Sequence, residues 1–73
     1  MSDNKNSDAG FRRFKIKEFE SAINIRRRQI GRVKWTRDHC DELDANAIEA
    51  MNSFIKDRQE EIKSFRDAQN LWR

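Results

Sequence analysis

A chain of 73 residues with no proline, two glycines and 40 % charged side chains is one small domain at most, and its composition suits exposed helices rather than a sheet. A single cysteine excludes an internal disulfide and a zinc site built on paired thiols, and no apolar run comes near the roughly 18 residues of a membrane span. The net charge of +3 conceals a split: Arg12 to Arg37 carries ten basic and two acidic residues, whereas Asp38 to Arg73 carries five basic and nine acidic, so a basic first helix and an acidic second one are expected.

Residues 1–10 hold no large apolar side chain and are rich in Ser, Asn and Asp. They are expected to form a disordered N-terminal tail, with Ser7 or Asp8 available to cap the first helix. That helix is expected over about 11–34, because Ile16, Phe19, Ile23, Ile30 and Val33 recur at helical spacing. Phe11, Phe14, Ile25 and Trp35 lie on a second face of it, which implies a second partner, unless Phe11 and Phe14 only cover Leu71 and Trp72 at the open end of the hairpin. The connection is expected at about 35–38, with Thr36 or Asp38 as the N-cap and Asp38, Asp41, Glu42 and Asp44 favoured by the dipole of the next helix. That second helix, about 39–72, repeats the design of the first. Ile48, Met51, Ile55, Ile62 and Phe65 come after Ile16, Phe19, Ile23, Ile30 and Val33 at an offset of 32 residues, and Arg58 matches Arg26.

Two helices of one design imply an all-α, antiparallel two-helix hairpin over 11–73. Folding about residues 35–38 sets Val33 against Ile48, Ile30 against Met51, Phe19 against Ile62 and Ile16 against Phe65. So short a chain rarely builds a core worth more than about 3 to 5 kcal/mol. The hairpin is therefore expected to dimerise into a four-helix bundle, with Phe19, Ile23, Ile30, Met51, Ile55, Ile62 and Phe65 as core or dimer interface.

Catalytic equipment is absent from this reading. His39 and Cys40 are sequence neighbours, about 100° apart on a helix, so they make no dyad by themselves. No second histidine supports a metal, and no cofactor or small-molecule substrate is expected. Cys40-Asp41-Glu42-Leu43-Asp44 is similar at Glu42, Leu43 and Asp44 to the Ser-Gln-Glu-Leu-Asp signature of the small sporulation phosphatases that act on response regulators. The serine and glutamine of that signature are missing here, and the resemblance is not adopted.

The remaining candidates are interaction surfaces. Arg26, Arg27, Arg28, Arg32 and Trp35 are the residue types that dominate protein interfaces, and they are the expected partner contacts. The function this points to is a small non-enzymatic regulator or inhibitor, an adaptor acting as a cytoplasmic homodimer on a larger protein. Its size would suit a phage or mobile element, and no membrane association is expected. The alternative is a nucleic-acid-binding regulator that places the basic segment Arg26 to Arg37 on phosphate.

Overall fold

A computed structural model describes the backbone of residues 2–73 and the side chains from Ala9 onward. It holds two α-helices, α1 over Ser2–His39 and α2 over Ala45–Asn70, packed against each other as an antiparallel hairpin. Met1, part of the expected tail, lies outside the described residues, and the described backbone of that tail is helical from Ser2 onward. The backbone of Ser7 and Asp8, expected at the start of the first helix, lies within α1, and their side chains lie outside the described ones. Neither glycine has a positive φ, so Gly10 and Gly31 continue the helix instead of breaking it.

The expected connection at 35–38 is helical too. Thr36 Oγ1 donates to the Arg32 carbonyl (3.0 Å), His39 Nδ1 lies 2.8 Å from the Trp35 carbonyl, and the rings of Trp35 and His39 stack at 4.5 Å. These contacts, each spanning four residues, carry α1 one turn past Lys34. The chain reverses over residues 40–44 instead. Asp44, with extended backbone, is the N-cap of α2, and its Oδ1 accepts from the Ala47 amide at 2.7 Å. Neither Thr36 nor Asp38 caps the second helix, and its first turn contains no acidic residue. Replacing Asp44 by Ala should cost about 1 kcal/mol, which in a chain this short lowers the melting temperature by about 4 to 8 °C. A thermal melt monitored by circular dichroism measures it.

Moving the reversal toward the C-terminus slides the pairing by about one helical turn. Phe19 meets the ring of Phe65 (centroids 6.0 Å apart) rather than Ile62, and the carbonyl of Ile16 accepts from Gln69 Nε2 at 3.0 Å rather than lying opposite Phe65. Phe11 packs edge-on against Trp72 at 5.4 Å. The seam keeps the expected residues except at its turn end, where Ile48 is 37 % exposed. Ile23, Ile30, Ile55 and Ile62 are buried, and Val33 and Phe65 pack against them. Met51, Phe19 and Ile16 are half-buried. Gln69 is the one buried polar residue among the described residues; it occupies the next seam position after Ile55 and Ile62, spaced by seven, and its amide is satisfied by the Ile16 carbonyl.

The result is a rod with Cα extents of 63 × 16 × 11 Å. A single pair of helices has a seam but no interior. Among the described residues no side chain is fully buried, and the four core isoleucines keep 5 to 8 % of their surface. Stable domains usually stack a second layer on such a surface.

Candidate interaction surfaces

The seam has a seven-residue repeat on both helices, with Ile16, Ile23, Ile30 and Arg37 on α1 and Ile48, Ile55, Ile62 and Gln69 on α2. The rows that border it on either side repeat with the same period, and the two flanks of the hairpin differ sharply. On one flank, Ala22 and Thr36 of α1 and Ala47, Phe54, Glu61 and Ala68 of α2 are half-buried, with Gln29 of α1 the exposed member of the row. On the other, Arg13, Glu20, Arg27 and Lys34 of α1 and Asn52, Gln59 and Arg66 of α2 are all exposed. The next row outward on that exposed flank holds Lys17, Asn24, Lys56 and Lys63, again all exposed.

The half-buried flank contains a polar cluster that joins the two helices. Arg26 Nε donates to Glu61 Oε2 at 2.9 Å, Arg26 Nη1 donates to the Ala22 carbonyl at 3.1 Å, and the guanidinium lies over the Phe65 ring at 4.5 Å. Arg58 approaches the same carboxylate from α2, with Nε 3.1 Å from Glu61 Oε2 and the guanidinium 4.9 Å from the Phe54 ring. That ion pair is close, but the Arg58 N–H does not point at the oxygen, so the buried Nε makes no hydrogen bond. Two arginines thus share one carboxylate between two aromatic rings.

A third surface is the outer face of α1, turned away from α2. Phe14, Ile25 and Trp35 are 61 %, 52 % and 64 % exposed, and Ser21, Arg28 and Arg32 lie among them at helical spacing. The five expected partner contacts therefore separate. Arg28, Arg32 and Trp35 share this outer face, Arg27 lies on the exposed polar flank, and Arg26 is engaged by Glu61 and Phe65 on the half-buried one. Of the basic segment Arg26 to Arg37, only Arg26 and Arg37 have polar side-chain partners among the described residues; Arg37 binds Asp38 (3.1 Å) and Asn52 (2.7 Å). Arg27, Arg28, Arg32 and Lys34 form no ion pair there. They are not neutralised by the acidic half of the chain, because Asp57, Glu60 and Asp67 point off the outer side of α2, away from α1.

Arg26 and Arg58 interrupt the apolar stripes, and of the carboxylates that the sequence offers them, Glu20, Asp57 and Glu61, both arginines meet Glu61. One feature escaped sequence reasoning. The asymmetry of the flanks could have been found by writing both helices on one seven-residue repeat, which separates Arg27 and Lys34 from Ala22 and Thr36. His39 is held by Trp35, and Cys40 is exposed with a free thiol. Among the described residues no group of three His, Cys, Asp or Glu side chains could hold a metal ion, and no helix is long and apolar enough to cross a membrane. No family model, curated protein or solved structure matches this chain.

Proposed function

We propose that the hairpin is a small non-enzymatic protein-binding regulator, an inhibitor or adaptor that works as a homodimer on a larger protein target. The observation that carries this reading is the outer face of α1, where exposed Phe14, Ile25 and Trp35 share a face with Arg28 and Arg32, which form no ion pair among the described residues. Aromatic anchors with arginine are the pattern of interface hot spots, and here they stand on the outer face of a helix whose inner face already has a partner.

The second copy belongs on the half-buried flank. Overlap with α2, 26 residues long, extends over about 39 Å. With a width of 16 Å, a face-to-face pair of such flanks covers about 1,200 Å² in projection, the lower bound of a stable interface. The pairing makes a four-helix bundle, gives the seam the second layer it lacks, and brings each copy's Arg58 Nε near the acceptors of the other. It also leaves the outer faces of both α1 helices free for the target.

The test begins with proteins captured from a nuclease-treated lysate, then a calorimetric titration of one purified captured protein. Trp35→Ala should weaken that complex about thirtyfold, the loss of a hot-spot residue, and Arg28→Glu with Arg32→Glu should abolish it. Unchanged affinity in both variants would exclude the outer face as the target site.

A further inference from the structure

The exposed polar flank has a chemistry of its own. Along α1 it presents Arg13, Lys17, Arg27 and Lys34, and across the seam α2 adds Lys56, Lys63 and Arg66. All seven are exposed, and none pairs with a carboxylate among the described residues. The acids that border them are Glu20, Glu49 and Asp38, the last bound to Arg37, together with Glu60 and Asp67, which stand one turn from Lys56 and Lys63 on the outer side of α2. The remaining positions are Asn24, Gly31, Ala45, Asn52, Gln59 and Asn70, so these rows contain no large apolar side chain.

We propose that this flank binds the phosphodiester backbone of a nucleic-acid duplex without reading its sequence. Arg13 and Lys34 are 21 residues apart in α1, about 32 Å along the axis and close to one turn of duplex. Lysine and arginine on a straight, rigid edge supply the charge neutralisation and counterion release that drive backbone binding. Phe14, beside Lys17 at one end, is the one aromatic residue that borders the flank, so it lacks the row of rings on which single strands stack. The absence of large apolar side chains from its rows removes both the anchor of a protein interface and the wedge that inserts into a lipid surface. This set of cations differs from the contiguous segment Arg26 to Arg37: Arg26, Arg28, Arg32 and Arg37 are elsewhere, and three of the seven come from the helix with the acidic sequence. The flank lies opposite the one assigned to the second copy, so it is open in monomer and dimer alike.

Fluorescence anisotropy of a labelled, mixed-sequence DNA duplex of about two turns tests the proposal. Binding is expected at about 50 mM salt and should weaken about 100-fold by about 200 mM if four phosphates are contacted. Arg27→Gln with Lys63→Gln, two exposed changes whose helicity is checked by circular dichroism, should reduce the salt slope by about two units. Arg28→Gln with Arg32→Gln, on the outer face, should leave it unchanged. The proposal is overturned by no binding at the lower salt, by an unaltered slope in the first double variant, or by an equal loss in the second. Equally tight, equally salt-sensitive binding to vesicles of three parts phosphatidylcholine to one part phosphatidylglycerol would also overturn it, because the flank would then be reading anionic charge of any kind.

Discussion

Ile55→Asp should leave the chain unfolded at 25 °C. Ile55 is 5 % exposed and touches the seam where Ile23, Ile30 and Ile62 converge. Removing a buried isoleucine side chain costs about 2 to 5 kcal/mol, and an unpaired carboxylate in its place adds a desolvation penalty. The combined loss exceeds the roughly 3 to 5 kcal/mol that a core of this size supplies. Far-UV circular dichroism should show the collapse of helical signal, while Ser53→Asp, an exposed change two residues earlier on the same helix, should preserve it. A cooperative melt in the Ile55 variant at the wild-type temperature would show that the two helices are joined by some other seam.

Phe54→Glu has the second-largest expected effect, on mass rather than on helicity. Light scattering should give twice 8.8 kDa for the wild-type chain and the monomer mass for the variant. Phe54 is half-buried at the edge of the hairpin, where its ring meets Arg58, and the bundle would enclose it. A carboxylate at this position stands four residues before Arg58, the favourable order for an ion pair on one helix, so the hairpin itself should persist. Buried against a second copy, that same charge would be costly. A wild-type monomer, or a variant dimer of undiminished mass, would remove the half-buried flank as the site of association.

The seam was legible because one physical rule governs it: isoleucines spaced by seven, reinforced at intermediate positions, bury one face of a helix wherever its ends fall. Ile23, Ile30, Ile55 and Ile62 needed no knowledge of the turn. The turn was harder, since nothing between Lys34 and Ala45 is proline or glycine, and four residues there can cap a helix. Asp44 prevails over Thr36 and Asp38 because the stacked Trp35 and His39 and the Thr36 hydroxyl continue α1 past the earlier candidates. The register is set by the turn, so the expected partners of Phe19 and Ile16 were off by about one helical turn. Gln69 was missed for a different reason: a polar residue at a seam position looks like the end of the stripe until the Ile16 carbonyl shows what it bonds. The grouping of Arg27 with Lys63 rather than with its neighbour Arg28 depends on which way each helix is turned, and that only the pairing decides.

The five-residue reversal also sets an order of events. Contacts across the hairpin join residues ever more distant in sequence as they recede from the turn: 15 residues apart for Arg37 and Asn52, 35 for Arg26 and Glu61, 53 for Ile16 and Gln69. Closing the last of these loops directly would cost about 1 kcal/mol more than closing the first, but each contact already made shortens the loop that remains. The hairpin therefore closes like a zipper from Arg37 toward Phe11, and it opens from Trp72 inward.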